Sequence, residues 1–448
     1  MATKQIPGPK LNLIFSTWRK LVKQPLNFLL EIHKNYPSIA HIKVFNRKLV
    51  LLTDPTLIRF VLQTNQKQYT KGSQYKFLKL ILGNGLVTSE GDLWKRQRKL
   101  IQPAFHKQYI NTLFDDMLFC TNIMMKEWDE YVKTEKELYL SDEMMKVTLR
   151  IISKTMLSTD VNSEAETIRT SLVFIGSQIA QKAMKPIQLP MWFPTNDNVE
   201  FLKSKKNLDK IIYKIIEEHR QSTNKRGDLL DMLIASKYED TGECMPDDLL
   251  RDEIMTIFVA GHSTTATALA WTFYLISQNP EVYDKLKKEV DEVVGDGELT
   301  FQHLQQLRYT KNVFNESMRI YPPVWMIVRK AAEDNMVGDY LIEKDTDVLI
   351  PPYIVHHDAT LWKDADKFIP ERWDTEEVKQ MDKFTYFPFA AGPRMCIGNN
   401  FALFEADIII AKVIQKFDFK YLGEVPAEME ASTTLRIKNR MPMKLRAL

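Results

Sequence analysis

Apolar residues recur at helical spacing over residues 26–36 and the pattern stops at Pro37, which predicts a first helix. Two short apolar runs, 39–44 and 49–52, predict strands joined as a hairpin through Asn46 and Arg47. Asp54-Pro55 is a helix-start signal, an acceptor side chain before a residue whose φ is already set, and its helix is expected to reach about Thr64. A glycine-containing loop ends in Gly83-Asn84-Gly85-Leu86-Val87-Thr88. From Asp92 helical periodicity continues, with breaks, to about residue 335; within it, residues 186–194 form an irregular stretch of prolines and aromatics. Strands return near 336–342 and 348–350, followed by a loop-rich section with Pro351, Pro352 and Pro370. An apolar segment from Phe401 has the length of a buried helix, and 433–437 with 443–445 reads as a closing β pair. The pattern predicts a mainly α chain with minor β.

Composition narrows this picture. A length of 448 residues allows three domains at about 150 residues each. No Gly/Ser linker, low-complexity run or internal repeat marks a boundary, so one unit spanning 1–448 is expected. The net charge of +3, from 61 basic and 58 acidic residues, is too balanced to point to nucleic acid. Charged segments at 203–206 and 222–226 are expected to be solvated faces. The three cysteines, Cys120, Cys244 and Cys396, are odd in number and far apart; they suit a reducing compartment and offer neither a disulfide framework nor a zinc pattern. No signal peptide is visible, and the segment from Leu11 to Phe15 falls well short of the roughly 20 residues of a membrane span. A cytoplasmic protein without an integral membrane anchor is expected.

The most informative stretch is Phe389-Ala-Ala-Gly392-Pro-Arg394-Met-Cys396-Ile-Gly398, just before the apolar segment. A cysteine ahead of a helix start is placed where a thiolate is favoured, because unpaired N–H groups and the helix dipole stabilise negative charge. Gly392 and Gly398 permit a tight turn and close approach by something flat and large. A haem on a cysteinate fits, with Arg394 placed to meet a propionate. A lone cysteine is more often a buried structural one; the rest of the chain decides between them.

Residues 252–272 form a long apolar helix expected to be interrupted by Ala260-Gly261-His262-Ser263-Thr264-Thr265. Glycine and threonines are poor choices in mid-helix, which marks either a ligand groove with Thr264 supplying a hydroxyl or a helix-packing notch. Glu316 and Arg319 stand at i, i+3 among apolar neighbours, an arrangement that suits a buried pair wanting a third partner; Arg372, in Pro370-Glu-Arg-Trp373, can provide it. Trp94 and Arg98 put two donors on one helix face, suited to an anion or to an ordinary basic amphipathic helix. His356 and His357 offer no metal spacing, and His262 is expected to pack beside the notch.

Together these residues resemble the cytochrome P-450 family of haem-thiolate monooxygenases over nearly the whole chain. The family's pattern F-x-x-G-x-R-x-C-x-G is complete from Phe389 to Gly398; E-x-x-R matches Glu316 and Arg319, P-E-R-W matches Pro370 to Trp373, and W-x-x-x-R matches Trp94 and Arg98. The resemblance implies the cytochrome P-450 fold, a large helical region plus a small β-rich one. It implies haem b with Cys396 as the iron ligand, Trp94, Arg98, Arg329 and Arg394 on its propionates, and a structural triad of Glu316, Arg319 and Arg372. Thr264 becomes the hydroxyl assisting proton delivery, while Ala260 and Gly261 line the groove above the haem. One departure matters: the acidic position before that threonine is Ser263, which implies a water-dependent relay, help from the substrate, or leakier turnover.

The reaction implied is insertion of one oxygen atom from dioxygen into a C–H bond, the other leaving as water. No fused reductase is expected, so electrons come ultimately from NAD(P)H through a separate ferredoxin or flavodoxin and its reductase. Lys95, Arg96 and Lys99 are the expected footprint of that acidic partner. The overall pattern is most similar to soluble bacterial members related to fatty-acid hydroxylases, so a fatty acid, terpenoid or similar apolar compound is the expected substrate. Val87, Ala260, Met326 and Thr434 are the pocket candidates. The alternatives are oxidative O-demethylation releasing formaldehyde, a peroxide-driven peroxygenase or non-oxidative isomerase, and a haem sensor without turnover; Thr264 argues against the peroxygenase and isomerase.

Overall fold

The computed structural model describes residues 4–9, 14–44, 47–159, 164–184, 189–223, 227–238 and 242–448. Asn46 of the expected hairpin turn, residues 11–13, residues 186–188 of the proline–aromatic stretch and residues 224–226 of the second charged segment lie outside these.

Helix α1 (Pro25–Asn35) buries Leu26, Phe28, Leu29 and Ile32 as one stripe against the first sheet. Strand β1 (Ile39–Val44) pairs antiparallel with β2 (Arg47–Leu52), placing Ala40 beside Leu51. The Asp54 carboxylate accepts from the N–H groups of Thr56 and Leu57, capping Pro55–Arg59, which runs on into one π turn, Phe60–Thr64. After β3 (Tyr69–Lys71) come α2 (Tyr75–Leu82), α3 (Gly91–Ile101), α4 (Phe114–Thr134), α5 (Leu140–Leu157), α6 (Ala165–Met184), α7 (Asn196–Gln221) and α8 (Leu229–Ala235).

Helix α9 (Asp247–Gln278) is the axis of the helical region. It is buried almost all round from Leu250 to Ile276, and packs against α2, α5 and α7. Helix α10 (Arg308–Ile320) packs on α9 as well. Strands β4 (Ile327–Ala331) and β5 (Asp347–Ile350) complete a five-stranded sheet of order β1-β2-β5-β4-β3, in which only β2–β5 is parallel. Helix α11 (Asn399–Lys416) follows the cysteine stretch and returns to α9 and α4. The chain is mainly helical with small sheets, as expected from its sequence.

Four expectations are corrected. Helix α9 runs without a break through 260–265, because burial by neighbours outweighs the weak helix preference of glycine and threonine. Helical structure ends at Ile320, not near 335, since Pro322 and Pro323 stop it and β4 begins at Ile327. Residues 336–342 form a hairpin, Asn335–Val337 with Tyr340–Ile342, turning at Gly338 with φ 59°. The closing strands do not pair with each other: Leu435–Ile437 pairs with Met429–Ala431, and Pro442–Ala447 with Phe417–Tyr421.

Candidate functional site

The cysteine stretch folds as a tight loop ahead of α11. Its turn is held by Met395 N–H donating to the Gly392 carbonyl (3.0 Å) and Cys396 N–H to the Phe389 carbonyl (2.9 Å). Gly392 has φ 73°, and a Cβ there would lie 1.9 Å from the Leu62 carbonyl oxygen, so the π turn over 60–64 leaves no room for any other residue. Gly398 is under no such demand: a Cβ would meet Phe105 at an ordinary 3.7 Å. Arg98 Nη1 donates to the Met395 carbonyl at 2.9 Å and so braces the loop from α3.

Cys396 is exposed, yet burial is the largest influence on its thiol and raises it, with the Gly398 N–H and the Arg98 guanidinium opposing. The residue is accessible although protein crowds its thiol. Ala260 has the same character: it is exposed in the middle of α9, while Ile254–Phe258 before it and Thr265–Ile276 after it are buried.

Strand register supplies the charge of the site. Lys71 on β3 stands opposite Arg329 on β4, and Arg329 is buried. Arg394 pairs with Glu90, donates to the Ser89 carbonyl at 3.1 Å, and lies 4.4 Å over the Trp94 indole. The Lys71 ammonium donates to the Val87 carbonyl and, at 3.3 Å, to that of Leu86. Burial first, then Arg394, push Lys71 down to about 6, with Glu90 opposing. Lys71, Arg329 and Arg394 lie close enough to repel one another, and only Arg394 is paired with Glu90, whose side chain is partly exposed. The cluster keeps a net positive charge, which suits a bound anion such as a haem propionate.

On α9 the Thr264 hydroxyl donates to the Ala260 carbonyl at 2.6 Å and the Ser263 hydroxyl to the Val259 carbonyl at 3.1 Å. These bonds to the previous turn let hydroxyl residues sit inside a continuous helix. A Cβ on Gly261 would lie 2.8 Å from Ile152 Cδ1, so this glycine serves the packing of α9 on α5. His262 is fully buried, and burial takes it down to about 4, leaving a neutral ring.

Glu316 is the centre of a second constellation. Its carboxylate accepts from Arg319 Nε (3.0 Å) and Nη2 (2.9 Å), Arg372 Nε (2.8 Å), Trp373 Nε1 (3.1 Å) and the Ile369 N–H (3.1 Å). Arg319 spends its remaining donors on the carbonyls of His356, Ala365 and Lys367. The result ties α10 to the loops over 356–373. His356 belongs to the same scaffold, accepting the Phe387 N–H at Nε2 (3.1 Å).

The cytochrome P450 family model matches residues 6–445. The chain belongs to the cytochrome P450 family. It is 30% identical to protein LUTEIN DEFICIENT 5, chloroplastic, of Arabidopsis thaliana, over 91% of this chain and 71% of that protein. To the cyclooctat-9-en-7-ol 5-monooxygenase of Streptomyces melanosporofaciens it is 30% identical, over 93% and 89%. Cyclooctatin synthase of the same organism is 32% identical, over 88% and 85%. This P450 is therefore a monooxygenase of the haem-thiolate class.

Of the pocket candidates, Val87 and Met326 are half-buried and Ala260 is exposed, whereas Thr434 is buried in its turn and the exposed neighbour is Thr433. Thr433 sits against α6, its hydroxyl 3.4 Å from where a Cβ of Gly176 would be. The Trp94 indole backs Arg394, while Arg98 donates to the cysteine loop. Sequence reasoning missed Lys71 and Glu90. Nothing local marks a lysine in a three-residue strand; only its register with Arg329 does.

Proposed function

We propose that this P450 inserts one oxygen atom from dioxygen into a C–H bond of an apolar substrate, with Cys396 as thiolate ligand of haem b. The observation that carries this is the braced cysteine loop, which holds an exposed Cys396 two residues after Arg394 of a net-positive cluster. Haem supplies oxygen activation when bound, the cysteinate donating electron density to it. Arg329, Arg394 and Lys71 would hold the propionates, with Trp94 keeping Arg394 in place by stacking. Arg98 and the Gly398 N–H favour the thiolate. Phe389 contributes the carbonyl that fixes the turn. Thr264 exchanges its bond to the Ala260 carbonyl for one to water and so passes protons into the site; Ser263, without an acid, only supports it.

A terpenoid or fatty acid is the substrate class proposed, in line with the ring alcohol named for one Streptomyces relative. Val87, Ala260 and Met326 present the apolar surface, with Thr433 in the place first given to Thr434. Electrons pass from NAD(P)H through a separate ferredoxin or flavodoxin docking on the exposed Lys95, Arg96 and Lys99 in the cytoplasm. Among the described residues no helix is long and apolar enough to cross a membrane.

The test is the carbon monoxide difference spectrum of the reduced protein. The parent is expected to show the strongly red-shifted band of a cysteinate haem, and Cys396→Ser to lose it. Identical spectra from the two proteins would overturn the assignment.

A further inference from the structure

Loop 83–90 lies on α9 through polar contacts. Asn84 N–H donates to Asp252 (2.7 Å), Leu86 N–H to Glu253 Oε2 (2.9 Å), and Gln97 Nε2 to the Asn84 carbonyl (2.7 Å). Around this loop four buried polar atoms have no protein partner: Ser89 Oγ, Gln97 Oε1, Glu253 Oε1 and Thr256 Oγ1. Buried polar atoms are rarely left unpaired, and several around one loop mark a place for ordered water. Each carrier belongs to or touches the loop: Ser89 lies in it, Gln97 and Glu253 hold it, and Gly85 packs so closely on Thr256 that a Cβ would lie 2.1 Å from its hydroxyl.

Glu253 is the exception among them. It is wholly buried, with one oxygen paired and the other free. The charged groups facing it are Lys71 and Asp252. Burial pushes its carboxyl up to about 8, the Leu86 N–H opposing, so it holds a proton at neutral pH. On a helical wheel Glu253, Ala260 and Thr264 fall within about 20° of one face, with Thr264 about 16 Å along the axis from Glu253.

We infer that Glu253 is the internal proton donor of this enzyme, feeding Thr264 through ordered water held by Thr256, Gln97 and Ser89, where Ser263 offers no acid. The inference rests on the haem-thiolate reading above. The proton leaves the Glu253 carboxyl for water, the carboxylate left behind keeps the Leu86 N–H and is favoured by Lys71, and a proton from solvent restores the acid.

The experiment is Glu253→Gln in the haem-loaded enzyme, since the amide oxygen still accepts the Leu86 N–H. Thr256→Val is the second variant. In the resting parent, infrared difference spectroscopy against Glu253→Gln is expected to show a protonated carboxyl band that vanishes as pH rises through about 8. Peroxide released per reducing equivalent is expected to rise severalfold in both variants. In the parent, coupling falls over the same alkaline range; in Glu253→Gln it is low and flat. A purely structural Glu253 would give parental coupling in Glu253→Gln whether or not the carboxyl band is seen, which overturns the inference. Both variants should keep the red-shifted carbon monoxide band, so this failure leaves the haem-thiolate reading standing; absence of that band from the parent defeats both.

Discussion

Arg319 and Arg372 share one oxygen of Glu316: Arg319 Nη2 reaches Oε1 at 2.9 Å and Arg372 Nε reaches it at 2.8 Å. All three side chains are buried, so the pair charges are not screened by water and each partner makes the others tolerable. Removing Arg372 leaves a neutral Glu316–Arg319 pair short of one charge-assisted bond, whereas removing Glu316 strands two guanidinium groups. Arg372→Ala is expected to lose about 1.5–3 kcal/mol and Glu316→Ala at least about 3–5 kcal/mol. Haem content per purified chain and urea unfolding of each variant measure this. Arg372→Ala with parental stability would mean that the second arginine is decoration.

The two glycines of the cysteine loop should respond in opposite ways. Gly392→Ala places a Cβ on the Leu62 carbonyl and strains a positive φ, so the loop must move. A loss of at least about 2 kcal/mol is expected, with poor haem retention. Gly398→Ala has ordinary space at 3.7 Å and a φ of −87°, and is expected to stay within about 1 kcal/mol of the parent. Thermal unfolding of both variants decides; equal losses would show that the two glycines are kept for one shared reason.

These contrasts show what a sequence can carry. The Gly392–Cys396 turn and the Glu316–Arg319 pair are local, so spacing alone exposes them. Lys71 opposite Arg329 depends on strand register, and Glu253 beneath Leu86 depends on how a loop lies on a distant helix. Neither leaves a local trace. The expected break in α9 fails for a related reason: propensity describes an isolated helix, while Ile152 filling the space beside Gly261 describes this one. The closing strands mislead because their partners are Met429–Ala431 and Phe417–Tyr421, each nearer in space than the strand that follows in sequence.

His219 on α7 gives a pH dependence away from the haem site. Its Nδ1 contacts the Ile215 carbonyl (3.1 Å) and its Nε2 the Asp228 carboxylate (3.0 Å), so both nitrogens face acceptors, which favours the imidazolium form. The hydrogen bond to Asp228 raises His219, with burial opposing. A raised histidine stabilises fully below its ordinary value of about 6.5 and loses that contribution as pH rises through the folded value. Stability of the parent relative to His219→Phe is therefore expected to shrink on the alkaline side by about 1–2 kcal/mol. Urea midpoints of the two proteins from pH 6 upward test it; a constant difference would refute the charged ring.

Lys71 should act with opposite sign in the two states of the protein. Without haem its ammonium is disfavoured by burial and by Arg394, so it contributes little but its packing. With haem bound, a propionate beside it makes a charge-assisted bond worth about 1.5–3 kcal/mol. Lys71→Met keeps the apolar stem and removes the charge. The apoprotein is expected to unfold at the parental midpoint or above it, since a buried cation has been taken away. The haem-loaded form is expected to release haem to a globin acceptor about tenfold faster, the rate equivalent of roughly 1.4 kcal/mol. Unchanged haem transfer together with a destabilised apoprotein would make Lys71 a loop anchor for the Leu86 and Val87 carbonyls and take it out of the propionate site.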